Sequence, residues 1–226
     1  MREPTPRHRR VICCDFDGTI TPVDTFIAMA EAFAPEVWNA LRHDLFEQRI
    51  SLRNFVEQLI GSIPSDRYPA MVEFVAAHPV RPGFEAFLDF LERRNVPLVV
   101  VSGGLRELVE SVLHPWRDRL AGLHAAEVDL SGPTIRVHSS VGSERAFVDK
   151  QLAMRGYPAD ELIVIGDSIT DVEIALVAHR VFAHSPLDRY LDQAGRHDFH
   201  RWQDFHDLTA QLTRLWADDG SRVSAV

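Results

Sequence analysis

Four short runs along the chain contain only apolar residues. They are Val11–Cys14, Leu98–Val101, Leu162–Ile165 and Val181–Ala183. A run of this length without polar alternation is typical of a parallel strand that is covered on both faces. Segments with helical periodicity lie between the runs, and strand alternating with helix predicts an α/β fold with a mostly parallel sheet.

One stretch, from Thr25 to about His78, breaks this alternation because it has helical patterns and no strand candidate. Ser51 is a candidate N-cap for one of its helices, and Ser65 or Asp66 for another. Four helices are predicted there: Phe26–Phe33, Glu36–Arg49, Leu52–Ile60 and a last one through Val75. We expect an all-helical insertion of this kind to form a cap over the sheet.

These boundaries divide the chain into a core, a cap and two tails. The predicted fold class is α/β, with a Rossmann-like parallel sheet core and an inserted all-helical cap. The cap is residues 24–79, the discontinuous core is residues 11–23 and 80–216, and residues 1–10 and 217–226 are predicted as flexible tails. The segment Glu127–Val137, with Ser131-Gly132-Pro133 in its middle, is predicted as a hairpin.

The net charge and the cysteines of the chain indicate which binding partners and which cellular compartment to expect. With 24 basic and 33 acidic residues, the net charge of −9 argues against a nucleic acid or a membrane surface as the main partner. Cys13 and Cys14 are adjacent and have no other cysteine to pair with, which fits a reducing compartment. No apolar run approaches the ~18 residues of a membrane span, and no signal-peptide pattern follows the basic start. We expect a cytoplasmic protein.

Polar residues beside glycine follow three of the four apolar runs. The segments are Asp15-Phe16-Asp17-Gly18-Thr19, Ser102-Gly103-Gly104 and Gly166-Asp167-Ser168-Ile169-Thr170-Asp171. Each alone is also typical of a turn or a helix cap, and the first is the most specific. Because ligands of an open parallel sheet bind beyond the carboxyl ends of its strands, we expect the three segments to converge on one site.

That site would gather four carboxylates: Asp15, Asp17, Asp167 and Asp171. Four carboxylates in one pocket repel each other unless a cation is present. Oxygen ligands without histidine or cysteine at ligand spacing favour Mg²⁺ over Zn²⁺, and Mg²⁺ commonly joins carboxylates to a phosphate. Ser102 and the amides after it lie at the start of a predicted helix, which favours an anion. The residues therefore predict a Mg²⁺ site that binds a phosphate.

Arginine far outnumbers lysine among the basic residues: the chain has 23 arginines and one lysine, Lys150. One interpretation is a codon preference that replaces lysine by arginine wherever the exchange is tolerated. The other is that one site requires a compact ammonium, which differs from the planar guanidinium fork. Composition leaves both interpretations open.

In these motifs and their order the chain resembles the haloacid dehalogenase superfamily of phosphatases, from Val11 to about Trp216. The resemblance implies that Asp15 is the nucleophile and forms an aspartyl-phosphate. It implies that Asp17 protonates the leaving oxygen and then activates water. The dehalogenase branch lacks a carboxylate at the position of Asp17, and transporting ATPases have a lysine at the position of Phe16.

The same resemblance implies which residues bind phosphate and metal. The implied phosphate-binding residues are Thr19, Ser102, Gly103 and Lys150. The implied Mg²⁺ site consists of the carboxylates of Asp15 and Asp167 and the main-chain carbonyl of Asp17, with Asp171 supporting the metal or its waters.

The position of the cap resembles the phosphoserine phosphatase branch of the superfamily. A closer likeness is to the methionine salvage branch that acts on 2-hydroxy-3-keto-5-methylthiopentenyl-1-phosphate. The features that match it are the segments 15–21, 33–35, 101–104 and 166–173 together with Asp24 and Trp38. Thr170 stands where phosphoserine phosphatases usually have asparagine, whereas Ala125–Asp149 is shorter than in the salvage branch and lacks its cysteines.

The predicted partner is therefore a small phosphorylated metabolite, with both of these substrates as alternatives. Two other function classes compete with hydrolysis. One is a phosphotransferase or mutase that reuses the aspartyl-phosphate, and the other is a phosphate-sensing module without turnover. The helical cap argues against the first, and the presence of all the motifs argues against the second.

Three cap residues are candidates for substrate specificity. Asp24 follows the first motif, and Arg49 and Arg53 are predicted on cap helices that can face the pocket. The alternatives are a helix N-cap for Asp24 and solvated surface positions for the arginines. The cap aromatic residues are predicted as cap core: Phe26, Phe33, Trp38, Phe46 and Phe55.

Overall fold

A computed structural model describes residues 7–223 of the chain. Within that range seven strands form one sheet in the order β4-β3-β2-β1-β5-β6-β7. They are β1 (His8–Cys14), β2 (Leu98–Leu105), β3 (Gly122–Asp129), β4 (Arg136–His138), β5 (Ala159–Gly166), β6 (Arg180–Ala183) and β7 (His200–Arg201). Neighbouring strands are parallel except β3 and β4, so the predicted α/β class with a mostly parallel sheet is confirmed.

Strand β1 lies at the centre of the sheet, between β2 and β5. Its register pairs Cys14 with Val100 of β2 and with Ile165 of β5. Residues Val11–Cys14 are at most 1% exposed, because helices cover both faces of the sheet. This burial explains why β1 has no polar alternation, and the shared direction of the three strands places their carboxyl ends side by side.

Ten α-helices are present among the described residues. They are α1 (Thr25–Phe33), α2 (Pro35–Phe46), α3 (Leu52–Gly61), α4 (Tyr68–Ala76), α5 (Phe84–Glu92), α6 (Arg106–Leu113), α7 (Lys150–Met154), α8 (Val172–Val177), α9 (Leu187–Gln193) and α10 (Phe205–Val223). Short 3₁₀ helices lie at Ser65–Arg67, His114–Arg119 and Ile169–Asp171. None of the helices in residues 7–223 has the length and apolar content that a bilayer span requires.

Helices α1 to α4 lie between β1 and α5, where the cap was predicted. Ser51 caps α3 as predicted, because its Oγ accepts a hydrogen bond from the N–H of Asn54 at 3.1 Å. Aromatic rings pack inside this group of helices, with the centroid of Phe55 5.9 Å from that of Trp38 and 6.5 Å from that of Phe26. Trp38 and Phe55 are buried, as expected for a cap core, whereas Phe46 at the end of α2 is 65% exposed and the expectation is wrong for that residue.

The cap helices are joined to the predicted hairpin, which is confirmed by the antiparallel pairing of β3 and β4. Pro64 and Thr134 form an antiparallel bridge, and the N–H of Ile135 donates to the carbonyl of Ile63 at 3.1 Å. Ser65 Oγ donates to the carbonyl of Gly132 at 2.7 Å. The segment between α3 and α4 thus lies along the outer edge of the hairpin.

Helix α2 ends at Phe46, and the prediction that it extends to Arg49 is wrong. Gln48 has φ of 56°, a left-handed conformation that reverses the chain direction. The N–H of Arg49 donates back to the carbonyl of Asp44 at 2.8 Å and closes the end of the helix. Arg49 therefore lies in the turn between α2 and α3.

Both predicted flexible tails extend too far into the chain, because a strand and a helix occupy their inner residues. Strand β1 begins at His8, whose N–H donates to the carbonyl of Pro158 at 2.8 Å, and Arg10 Nε lies 2.6 Å from Glu161 Oε2. These contacts extend β1 along β5 although the segment is basic. Helix α10 continues to Val223, past the predicted end of the core. The remaining tail residues 1–6 and 224–226 lie outside the described residues.

Candidate active site

The three polar segments converge at the carboxyl ends of β2, β1 and β5, as the sequence predicts. Asp15 directly follows β1, Asp167 directly follows β5, and Ser102 lies near the end of β2, where the pairing with β3 shifts in register. Oxygen atoms of Asp15, Asp167 and Asp171 lie within 4.8 Å of one another. We call these three residues the carboxylate cluster.

Lys150 is the cation of the carboxylate cluster. It begins α7, which the Asp149 side chain caps by accepting from the N–H of Leu152 at 3.0 Å. Lys150 Nζ lies 2.6 Å from Asp15 Oδ1 and 2.6 Å from Asp171 Oδ1. Burial disfavours the charged ammonium, but the two carboxylates outweigh it and raise the pKa of Lys150 above its usual range. The ammonium is therefore charged at neutral pH.

Asp171 uses both of its oxygens inside the cluster. Its Oδ1 accepts from Lys150, and its Oδ2 accepts from the N–H groups of Asp167 and Ser168, each at 3.2 Å. A side chain at Gly166 would place its Cβ 2.4 Å from Asp171 Cγ, so this close approach requires glycine. Asp171 thus connects Lys150 to the backbone that carries Asp167.

The loop after β1 is joined to Asp167 by a side-chain hydrogen bond. Thr19 Oγ1 donates to Asp167 Oδ1 at 2.9 Å. Gly18 has φ of 73°, and a Cβ at this position would lie 2.2 Å from Asp167 Oδ2. Thr19, a predicted phosphate contact, is therefore a donor to a carboxylate of the cluster in this structure.

Asp17 connects the site to the first cap helix. Its Oδ1 accepts from the N–H and the Oγ1 of Thr25, at 2.9 and 2.5 Å, and from the N–H of Phe26 at 3.3 Å. Its Oδ2 lies 3.5 Å from Ser102 Oγ, which itself accepts from the N–H of Gly104 at 3.0 Å. One oxygen is therefore fixed by α1, and the other lies beside the loop after Ser102.

The electrostatics of the cluster favour a bound cation. Burial raises the pKa of Asp15 well above its usual range, Asp171 and Asp167 add to this, and Lys150 opposes it. Burial and the charge of Asp171 raise the pKa of Asp167 to about 7. A divalent cation would favour the ionised forms, and a set of carboxylate oxygens is what a hard cation binds. The donor set therefore fits such an ion.

The three cap candidates make hydrogen bonds and ion pairs outside the carboxylate cluster, although burial and the nearby charge of Asp17 raise the pKa of Asp24 to about 7. Asp24 is the N-cap of α1, because its Oδ1 accepts from the N–H of Ile27 at 2.8 Å. Arg49 is half exposed and pairs with Asp44 and Glu47 on the surface. Arg53 lies over the Phe147 ring and donates to the carbonyls of Ser143 and Ala146, in the segment before α7. The contacts of Asp24 and Arg49 match their alternative interpretations, a helix cap and a surface position, whereas Arg53 is partly buried against Phe147 and is not a solvated surface residue.

Residues for which the sequence predicts no role at the site also border it. Arg81 donates to the carbonyls of Gly18 and Thr19. A Cβ at Gly104 would lie 3.9 Å from Phe26 Cδ2, and one at Gly103 would lie 4.0 Å from Leu52 Cδ2. The only signal for Arg81 is its place in Arg81-Pro82-Gly83, where the predicted cap ends, and Phe26 and Leu52 read as ordinary helix-core residues.

A scan against protein-family models and a search of characterised proteins give consistent matches. The model described as haloacid dehalogenase-like hydrolase matches residues 12–176. A 2-hydroxy-3-keto-5-methylthiopentenyl-1-phosphate phosphatase of Microcystis aeruginosa is 36% identical over 205 residues, which cover 90% of this chain and 97% of the relative. A protein of the same description from Exiguobacterium sibiricum is 31% identical, over 91% of this chain and 98% of the relative.

Solved structures show the same fold at lower sequence identity. A phosphoserine phosphohydrolase-like protein from Francisella tularensis subsp. tularensis SCHU S4 aligns with a TM-score of 0.69 and 18% identity. The alignment covers 89% of this chain and 99% of that protein. At this identity the likeness shows the fold alone.

Proposed function

The chain belongs to the haloacid dehalogenase-like hydrolase family and is a phosphatase of phosphomonoesters, and we propose that it acts with Mg²⁺ through an aspartyl-phosphate on Asp15. The observation that carries this proposal is the Lys150 ammonium, 2.6 Å from both Asp15 and Asp171. A buried ammonium in this position orients Asp15 and opposes the rise of its pKa, and a bound cation would favour the ionised form that a carboxylate nucleophile requires.

In the first step Asp15 attacks phosphorus while the bond from phosphorus to the ester oxygen breaks. The departing oxygen needs a proton, and Asp17 Oδ2 is available to give it because Oδ1 is fixed at the start of α1. Burial raises the pKa of Asp17, although the hydrogen bonds from Thr25 oppose this, and a raised pKa favours the protonated form that a general acid needs. The products are the free alcohol and an aspartyl-phosphate.

In the second step water attacks the phosphorus of the aspartyl-phosphate. Asp17, now ionised, takes a proton from this water, and the bond from phosphorus to Asp15 breaks. Inorganic phosphate leaves and both carboxyl groups return to their starting states. Lys150, Ser102 and the Gly103 amide are proposed to hold phosphate oxygens through both steps, whereas the Gly104 N–H already donates to Ser102 Oγ.

The residues proposed to hold Mg²⁺ are Asp15, Asp167 and the main-chain carbonyl of Asp17. Bound Mg²⁺ supplies positive charge that stabilises the phosphoryl oxygens and the ionised carboxylates. Asp171 is proposed as a support for this site, because Lys150 and two backbone N–H groups already use its oxygens. Its contacts orient Asp167 and Lys150.

The proposed substrate is 2-hydroxy-3-keto-5-methylthiopentenyl-1-phosphate, and residues 24–79 are the proposed cap that selects it. The cap side chains nearest the Ser102 loop are apolar, Phe26 and Leu52. Phosphoserine, the alternative, has a carboxylate and an ammonium that need charged partners, whereas Arg49 and Arg53 pair elsewhere. An ester with an uncharged carbon chain suits these apolar cap side chains better than phosphoserine does. This choice of substrate agrees with the description of the matching relatives.

A paired substrate assay tests the proposal. Purified protein is given Mg²⁺ and either the methylthiopentenyl ester or O-phosphoserine, with Asp15→Asn as the control. We expect the first ester to be hydrolysed with a kcat/KM at least ~100-fold above that of phosphoserine, and no activity in the control. A preference for phosphoserine would refute the substrate, and full activity of Asp15→Asn would refute the aspartyl-phosphate.

A further inference from the structure

Arg81 is a buried cation outside the carboxylate cluster, and it holds the loop that follows the nucleophile. The residue lies between α4 and α5 and is 9% exposed. Its Nε donates to the carbonyl of Thr19 at 3.0 Å and its Nη2 to the carbonyl of Gly18 at 2.6 Å. Its own N–H donates to the carbonyl of Ile20 at 2.6 Å. Arg81 therefore binds the carbonyls of three consecutive residues.

The guanidinium is fixed on its other side by the segment before α10. Its Nη1 donates to the carbonyl of Gln203 at 3.2 Å. Its central carbon lies 5.2 Å from the ring centroid of Trp202, which is itself buried. All three guanidinium nitrogens thus donate to carbonyls in fixed directions, a planar fork that the single nitrogen of lysine does not reproduce.

The loop that Arg81 holds carries groups of the proposed chemistry. Thr19 donates to Asp167 Oδ1, and the left-handed Gly18 packs against Asp167 Oδ2. Asp17, whose main-chain carbonyl is a proposed ligand, immediately precedes Gly18. A rotation of the peptide between Gly18 and Thr19 would therefore displace both sides of the proposed cation site.

We propose that Arg81 is a positioning residue that fixes the Gly18–Thr19 turn and thereby aligns Thr19 and the Asp17 carbonyl with Asp167. The inference rests on the proposed cation site and is independent of which phosphomonoester is the substrate. Arg81 affects the reacting groups indirectly, through the backbone of the loop that it binds. Its loss should thus affect cation binding and turnover more than substrate binding.

The test compares Arg81→Lys with Arg196→Lys. Arg196 is a matched control, because its guanidinium is also mostly buried and donates to two carbonyls, those of Ala175 and Ala178 at the end of α8. Free Mn²⁺ is measured by electron paramagnetic resonance without substrate, and kcat and KM are measured with p-nitrophenyl phosphate. Thermal unfolding reports the structural loss in each variant.

We expect Arg81→Lys to raise the Kd for Mn²⁺ and to lower kcat by about 10–100-fold, with KM nearly unchanged. We expect Arg196→Lys to lower the unfolding temperature without changing either quantity more than about twofold. If Arg81→Lys keeps kcat and the Mn²⁺ Kd within about twofold of wild type, the inference is overturned. Wild-type protein that binds no Mn²⁺ would overturn the cation site itself.

A second variant covers the case in which Arg81→Lys does not fold. Trp202→Leu leaves Arg81 and its donors in place but removes the ring on which the guanidinium packs. We expect the same pattern in weaker form, with the Mn²⁺ Kd raised at least ~3-fold and KM nearly unchanged. An unchanged Mn²⁺ Kd in folded Trp202→Leu would overturn the inference in that case.

Discussion

Lys150 and Asp15 form a buried ion pair, with Nζ 2.6 Å from Oδ1 and with 4% and 6% of the two side chains exposed. The same Nζ lies 2.6 Å from Asp171, so one nitrogen contacts two carboxylates. A compact ammonium fits between them, whereas a planar guanidinium is wider and longer. This arrangement supports the second interpretation of the lysine count, in which the single lysine occupies a site that arginine does not fit.

Lys150→Arg is therefore expected to lower kcat by about 100-fold or more, because the larger head group displaces the nucleophile. The reverse exchange, Arg145→Lys, is the control, since the Arg145 side chain is 87% exposed. Steady-state kinetics with p-nitrophenyl phosphate and Mg²⁺ measure both variants. Wild-type turnover in Lys150→Arg would return the lysine count to a matter of codon preference.

Asp17→Asn should slow both departure of the alcohol and hydrolysis of the aspartyl-phosphate, by about 10²–10⁴-fold in kcat. Asp24→Asn is the matched control, because asparagine also caps a helix and Asp24 already caps α1 through Ile27. Rapid-quench kinetics separate the two steps. Equal activity of the two variants would contradict the acid–base role of Asp17.

Much of the sheet was predictable because burial on both faces leaves a plain sequence pattern. The runs at Val11, Leu98, Leu162 and Val181 all lie in parallel strands. The start of β1 was not predictable in this way. His8–Arg10 is basic and reads as a tail, yet it pairs with β5, and Glu161 neutralises Arg10 at 2.6 Å. Such compensation comes from a partner far away in the sequence.

The core of the site was predictable for a related reason. Asp15 and Asp167 each follow a recognisable strand, Ser102 lies near the end of another, and strand order then brings the three together. Arg81 and the specificity candidate Arg53 lack such a rule. Whether a guanidinium points to a loop carbonyl, to the Phe147 ring or to solvent depends on tertiary packing, which single-sequence periodicity does not encode.

The cysteines beside the nucleophile are expected to be unreactive in the folded protein. Both are buried, and burial raises the pKa of Cys13 from 9.0 to about 12 and that of Cys14 well above its usual range. At pH 8 the thiolate of Cys13 is then about one part in 10⁴. We expect iodoacetamide to label neither residue in native protein and both in urea.

The same pKa shift has a consequence for stability. The folded state keeps the Cys13 thiol protonated at pH values where the unfolded state ionises it. The contribution of this thiol to the free energy of unfolding is therefore complete below pH 9 and is lost as the pH rises towards 12. Denaturant titrations from pH 8 to 11 should show this loss, and it should be reduced in Cys13→Ala. If the unfolding free energy of Cys13→Ala depends on pH as that of wild type does, burial of these thiols is contradicted. Rapid iodoacetamide labelling of native protein at pH 8 would contradict it as well.

Gly18→Ala tests whether the loop must approach Asp167 as closely as the structure shows. A methyl group there would lie 2.2 Å from Asp167 Oδ2, at a φ of 73°. Gly195→Ala is the control, because Gly195 has a φ of 79° and a Cβ there would have no atom within 4 Å. Both changes place alanine in the left-handed region, at a cost of about 1 kcal/mol of unfolding free energy.

Only Gly18→Ala should also displace Asp167 or the Gly18–Thr19 turn. We expect it to raise the Mg²⁺ concentration for half-maximal activity at least ~10-fold, while Gly195→Ala leaves this value unchanged. Urea unfolding measures the shared backbone cost, and Mg²⁺ titration of p-nitrophenyl phosphate hydrolysis measures the difference. Equal Mg²⁺ requirements at equal stability loss would show that Gly18 is needed for its backbone conformation alone.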